Sequence, residues 1–274
     1  MPETIIATRG LGFSYGDIVA LRDVTLEVPA GCIGLVGANG AGKTTLLKLL
    51  LGILRPAEGA AWALGHAVPA EALAVRARVG YMPESACLPP DQTAADFVGY
   101  AAELAGLTTR AARQRAKLAQ AIVHDPDLVL LDEPTAGLDP EGREEMLELI
   151  GRLDGFGINS VVSSHVLTDI ERTCQWVVML DGGGVLRSGP LTEISATGEV
   201  AVEVLDDPAP LAAALEAAGA DVEVRGRMVV VRAGAADPFE LVRDALADTD
   251  TAVRRLGPRR TTLEDVFMQG AESV

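Results

Sequence analysis

Residues 37–45 read Gly-Ala-Asn-Gly-Ala-Gly-Lys-Thr-Thr, a glycine-rich run closed by Lys-Thr. Between a strand and a helix, such a run leaves successive backbone N–H groups pointing inward at the positive end of the helix dipole, where phosphate oxygens bind. Gly37, Ala38, Asn39, Gly40, Ala41 and Gly42 are therefore expected to cradle phosphates, and Thr45 completes the contact set. Lys43 can reach the β- and γ-phosphates of a nucleotide, and the Thr44 hydroxyl can ligate Mg²⁺. The plainer alternative is a glycine turn that merely joins a strand to a helix, which would not need Lys-Thr at its end.

A second group of reactive side chains ends an apolar run, Leu128-Val129-Leu130-Leu131-Asp132-Glu133-Pro134. Asp132 is expected to hold the Mg²⁺ that Thr44 also touches. Glu133, one residue further, can polarise an attacking water as a general base. Carboxylates at a strand end are also common as solvated surface. The phosphate loop upstream is what points to chemistry here.

Both groups need a sheet with helices on its faces. Cys32 to Val36 is a short apolar run suited to a buried strand, and Thr44 to Leu51 carries the leucine spacing of a buried helix closed by Gly52. Residues 1–30 alternate apolar and polar around turns at 15–17 and 29–31, predicting two or three antiparallel strands. Short strands are expected at 62–64, 79–82, 128–131, 160–163 and 176–180. Helices are expected at 96–106, 111–124, 141–153 and 167–173. Strands alternating with helices argue for a parallel sheet covered on both faces. The fold class is thus α/β, a phosphate-loop core spanning 1–196. After about residue 195 the order becomes strand–helix–strand–strand–helix–strand, which predicts a small ferredoxin-like α+β domain over 197–274.

The chain has 274 residues, 49 % hydrophobic and 4 % aromatic, with a mean hydropathy of +0.25. No stretch approaches the roughly 18 uninterrupted apolar residues that a spanning helix needs, and the first residues do not read as a signal peptide. Three cysteines, Cys32, Cys87 and Cys174, are too widely separated to suggest a disulfide framework or a metal cluster, so a reducing cytosol is expected. A net charge of −16 and a pI of about 4.6 argue against a nucleic-acid partner.

The loop at 37–45 and the Asp132-Glu133 pair together resemble the nucleotide-binding subunits of ABC transporters, and the resemblance covers nearly the whole length. It implies ATP and Mg²⁺ as ligands. Tyr15 matches the aromatic that stacks on adenine, and Gly137-Leu138-Asp139 matches the loop that crosses to a partner subunit. His165, in Ser163-Ser164-His165, matches the switch histidine that contacts the γ-phosphate, and so joins Glu133 as a catalytic candidate. Glu84 stands where the family usually places a glutamine; it can still bind metal, giving a metal set of Thr44, Asp132 and Glu84, but it carries charge and no N–H donors. Thr261 to Phe267 resembles the closing motif of daunorubicin-resistance-type exporter ATPases, although a threonine-capped amphipathic helix would read the same way.

One departure is larger. The family's glycine-containing signature loop precedes a helix like Arg113 to Ala121, yet the five residues before that helix, Thr108-Thr109-Arg110-Ala111-Ala112, contain no glycine. From Lys43 to Asp132 is 132 − 43 = 89 residues, a few dozen short of the family's usual interval, so the helical subdomain is expected to be cut down. The resemblance implies a cytoplasmic subunit at the inner face of the membrane, pairing as a homodimer or heterodimer with another ABC ATPase and driving a separate permease. The missing loop leaves open a regulatory or degenerate subunit with little hydrolysis of its own.

Overall fold

The computed structural model describes residues 3–84, 118, 121, 122, 124–232, 237–260 and 262–271. The helix expected at 96–106, the segment 108–112 and most of the helix expected at 111–124 lie outside the described residues. The chain divides into two compact units, one made of Met1–Ile194 with Gln269–Val274 and one spanning Ser195–Met268.

In the first unit, two long strands, β1 (Thr4–Tyr15) and β2 (Ile18–Pro29), form an antiparallel hairpin. Tyr15 pairs with Ile18, so Gly16 and Asp17 make a two-residue turn, and Gly16 has the positive φ such turns require. With β4 (Glu58–Ala63) and β5 (His66–Val68) they form a four-stranded sheet ordered β2-β1-β4-β5. The remaining strands of this unit are β3 (Cys32–Val36), β6 (Val79–Met82), β7 (Leu128–Asp132), β8 (Asn159–Ser164), β9 (Trp176–Asp181) and β10 (Gly184–Pro190). They build a six-stranded sheet ordered β10-β9-β3-β8-β7-β6. It is parallel except for the β9–β10 hairpin.

Every residue of β3 and β7 is buried, as parallel strands covered on both faces must be. That burial explains why β7 reads as a continuous apolar run up to Asp132. Helix α1 (Lys43–Leu50) buries Leu46, Leu47, Leu49 and Leu50 against this core. The strands are joined by α2 (Ala72–Arg78), α3 (Pro140–Arg152) and α4 (Leu167–Thr173). Gly34 of β3 is approached so closely by Ile170 of α4 that a Cβ there would stand 2.1 Å from Ile170 Cγ2.

Cys32 and Cys174, far apart in sequence, are buried free thiols with their Sγ atoms 3.3 Å apart. Their mutual hydrogen bond holds the Cys32 thiol below its usual pKa, and the same bond together with burial pushes Cys174 well above.

The second unit runs β11 (Ala196–Val204), α6 (Ala209–Ala217), β12 (Asp221–Arg225), β13 (Met228–Arg232), α7 (Pro238–Thr249), β14 (Val253–Arg260) and the part of α8 (Leu263–Ala271) up to Met268. Its sheet order is β12-β13-β11-β14, antiparallel throughout. Val200, Val202, Val204, Val229 and Val231 face Leu211, Leu215 and Val242 in a small separate core. Between β10 and β11 lies one further short helix, α5 (Leu191–Ile194).

Candidate functional site

The loop between β3 and α1 opens onto a cleft of about 490 Å³, within the range of small-molecule sites. Gly42, at the N-cap of α1, has φ 100°, and a Cβ there would lie 2.5 Å from Leu21 Cδ2 and 2.6 Å from the Ala20 carbonyl. Only glycine lets the loop pass this close to β2. Behind the loop, the Lys43 ammonium is 7 % exposed and donates to the carbonyls of Gly37 (2.6 Å) and Ala38 (3.2 Å). The hairpin turn carries Tyr15, Ile18 and Val19 to the rim, 47, 72 and 47 % exposed. Phe13 meets Tyr15 edge to face, with centroids 4.9 Å apart and planes at 79°.

The carboxylate pair sits where β7 ends. Asp132 is 1 % exposed; its Oδ1 accepts from Ser163 Oγ at 2.7 Å and its Oδ2 from Tyr81 Oη at 3.5 Å. Glu133 lies in the left-handed region with φ 51°, a strained conformation for a residue with a Cβ and one that concentrates at functional sites. Its N–H donates to both the carbonyl and the hydroxyl of Ser163, each at 3.1 Å. The Glu133 side chain bridges two basic groups: Oε1 lies 3.7 Å from Lys43 Nζ and Oε2 lies 2.9 Å from His165 Nδ1. One buried carboxylate thus joins the loop lysine to the histidine that follows β8.

The chain beyond Glu133 is pinned at both ends. Thr135 Oγ1 donates to Asp169 Oδ2 at 3.0 Å, and Arg143 donates through Nε and Nη2 to Asp169 Oδ1 at 2.8 and 2.6 Å. Asp139 caps α3 by accepting from the Gly142 N–H at 2.9 Å. Residues 135–139 are therefore anchored to α4 and α3 at once.

Of the candidates named from sequence, Tyr15, Asn39, Gly40, Ala41, Gly42, Lys43, Thr44, Thr45, Glu84, Glu133 and His165 line the cleft. Gly37 and Ala38 lie under it as acceptors for Lys43, and Asp132 is buried beside Glu133. Sequence reasoning missed Ile18, Val19, Ala20 and Ala136, which share the lining, and Ser163, which ties Asp132 to Glu133. The exposed Ile18-Val19 pair was a usable signal, since two adjacent apolar residues at a hairpin tip suit a ligand better than water.

The donor set fits a magnesium ion. No group of three or more His, Cys, Asp or Glu able to hold a metal occurs among the described residues; Thr44 lines the cleft, and Asp132 is a buried carboxylate at the end of β7, next to Glu133. Magnesium characteristically takes one or two protein oxygens together with substrate phosphates rather than an all-protein cage.

Comparison with known proteins accords with this geometry. The ABC transporter family model matches residues 21–113. The Nod factor export ATP-binding protein I of Cupriavidus metallidurans is 33 % identical over 97 % of this chain and 96 % of its own. That of Ralstonia nicotianae is 32 % identical over 97 and 93 %. Among solved structures, an ATP-binding subunit of an ABC transporter superposes with a TM-score of 0.59 at 27 % identity, covering 70 % of this chain and 92 % of its own. A dimeric ATP-binding cassette bound to ADP and Pi shares the fold with a TM-score of 0.58 at 21 % identity, covering 68 % of this chain and 98 % of its own. The chain belongs to the ATP-binding subunits of ABC transporters, as the ATPase of an exporter system that works with a membrane permease.

The narrower resemblance to daunorubicin-resistance-type ATPases is overturned, because these relatives are of the Nod-factor-export type. Its motif has a local explanation. Thr262 and Asp265 cap α8 reciprocally, the Thr262 hydroxyl accepting from Asp265 N–H and the Asp265 carboxylate accepting from Thr262 N–H, each at 3.2 Å. Leu263 and Val266 are buried. A capped amphipathic helix requires those residue types whatever the transporter.

The alignment also carries positions that this chain does not fill. The C. metallidurans match runs over 297 positions but takes in 97 % of 274 residues, about 266, so 297 − 266 leaves about 31 positions without a counterpart here. Among the described residues, no helix is long and apolar enough to cross a membrane.

Proposed function

We propose that the cleft binds ATP with Mg²⁺ and that Glu133 and His165 carry its hydrolysis. The observation that supports this most directly is the Lys43–Glu133–His165 chain, in which one buried carboxylate joins the phosphate-loop lysine to the histidine. Tyr15, with Ile18 and Val19 beside it, offers the adenine an apolar, aromatic wall. Backbone N–H groups of 37–45 and the Lys43 ammonium receive the phosphates. Thr44 and Asp132 would hold the magnesium ion with Glu84 nearby, and such an ion when bound neutralises charge on the β- and γ-phosphates. Glu133 orients the attacking water and takes up its proton, and the 2.9 Å contact lets His165 hold that carboxylate in place.

The chain would act in a pair, with a second copy or another ABC ATPase, on the inner face of the membrane. Residues 197–274 form an accessory domain in this reading. The cargo is selected by the permease.

A subunit with little hydrolysis of its own is a second reading. It is favoured by the glycine-free segment 108–112; the C. metallidurans relative also has about 31 alignment positions without a counterpart in this chain. Phosphate release, measured with and without a partner ATPase, separates the two. Removing a general base costs about 10²–10⁴ in rate while sparing ground-state binding. Glu133→Gln should therefore stop turnover and keep ATP bound. Wild-type turnover in that variant would exclude Glu133 as the base. Low activity of the unmodified chain alone, raised by an intact partner, supports the second reading.

A further inference from the structure

We propose that Ser163 is a positioning residue that sets the Asp132 carboxylate for the divalent cation and the Glu133 backbone for its side chain's task, through a single hydroxyl. The parallel register of β7 and β8 places Ser163 directly beside Asp132. Its side chain is fully buried, so the hydroxyl has no water to turn to and its bonding is fixed by the protein. It donates to Asp132 Oδ1 at 2.7 Å, a short, charge-assisted bond. It accepts the Glu133 N–H at 3.1 Å. The O–H donor and one acceptor lone pair thus serve two adjacent residues with different proposed jobs.

Tyr81 contributes less to the same carboxylate, because 3.5 Å is at the outer limit of a hydrogen bond. Without Ser163, Asp132 Oδ1 would lose its short donor in a site closed to solvent. The Glu133 N–H would keep only the Ser163 main-chain carbonyl while its own backbone stays at a positive φ. A second link lies just past the end of β8, where His165, two residues after Ser163, meets the Glu133 carboxylate at 2.9 Å. The segment 163–165 therefore contacts Asp132, the Glu133 main chain and the Glu133 side chain together.

This inference rests on Asp132 being the cation ligand, and its test distinguishes the two ideas. A fluorescent non-hydrolysable ATP analogue is bound to the full chain at increasing Mg²⁺, for wild type, Ser163→Ala, Ser163→Thr, Tyr81→Phe and Asp132→Asn. Loss of a group that orients a metal ligand typically costs about 10–100-fold in metal affinity. Ser163→Ala should raise the half-saturating Mg²⁺ by about that factor and leave analogue binding without Mg²⁺ unchanged. Ser163→Thr, which keeps the hydroxyl, should stay close to wild type, and Tyr81→Phe should move less than Ser163→Ala. Should Ser163→Ala not fold, Ser163→Cys, similar in size but a poor donor, is read by the same criterion. A half-saturation within about two-fold of wild type overturns the role of Ser163, as does a Thr variant as impaired as Ala. If Asp132→Asn raises the requirement and Ser163→Ala does not, Ser163 alone is misassigned. If Asp132→Asn changes nothing, the assignment of Asp132 fails and this inference fails with it.

Discussion

Arg143→Ala should destabilise the first unit by about 2–3 kcal/mol, through a carboxylate 26 residues away in sequence. Asp169 is 2 % exposed, and its Oδ1 takes both guanidinium contacts while Oδ2 takes the Thr135 hydroxyl. Breaking a buried ion pair by removing one partner costs about 3–5 kcal/mol, because a charge is left without compensation. Here the arginine side chain is 35 % exposed, so water replaces part of what is lost and the cost falls below that range. Asp169→Asn keeps an acceptor for Thr135 and removes the buried charge, so about 1–2 kcal/mol is expected. The two tryptophans, Trp62 and Trp176, both lie in the first unit. Urea unfolding followed by their fluorescence therefore reports that unit alone. An Arg143→Ala loss under about 0.5 kcal/mol, the scale of an ordinary surface change, would refute the reasoning. So would an Asp169→Asn loss exceeding that of Arg143→Ala.

Gly34→Ala places a Cβ 2.1 Å from Ile170 Cγ2 and should cost about 1–3 kcal/mol by overpacking. Adding Ile170→Ala should recover part of it in the same urea titration, and strictly additive losses would contradict the contact. Tyr15→Ala should weaken adenine-nucleotide binding by about 1–3 kcal/mol if stacking here behaves as it does for bases on aromatic side chains. Fluorescence anisotropy with a labelled nucleotide measures this, and unchanged affinity would remove Tyr15 from the site.

The phosphate loop and the Asp132-Glu133 pair were legible because their residues are contiguous, so local spacing carries the geometry. Strand β7 was legible for a related reason: burial on both faces leaves an unbroken apolar run between prolines. Shorter elements were not. The strands β5 and β10 and the alanine-rich α2 have too few periodic positions to stand out. The strand expected at 62–64 lies instead at Glu58–Ala63, because Leu64 turns with φ 49°. The supporting network was hidden for another reason. Ser163, Thr135, Arg143 and Asp169 are ordinary residue types 26 to 34 positions from their partners, and only the β7–β8 register and the packing of α4 bring them together. The Cys32–Cys174 contact spans 142 positions and escaped sequence reading in the same way. The daunorubicin-type resemblance failed because helix-capping chemistry is shared far more widely than any one transporter lineage.

The proposed function requires residues 37–45, Lys43 among them, to form a nucleotide phosphate site. Titration calorimetry of ATP with Mg²⁺ onto the wild-type chain and onto Lys43→Ala tests it most directly. The phosphates lose the Lys43 ammonium in the variant, and Glu133 Oε1 loses its partner at 3.7 Å while Oε2 keeps the His165 contact at 2.9 Å. Saturable binding by the wild type and none measurable in Lys43→Ala is the expected result. Wild-type affinity in Lys43→Ala would contradict a phosphate site at residues 37–45.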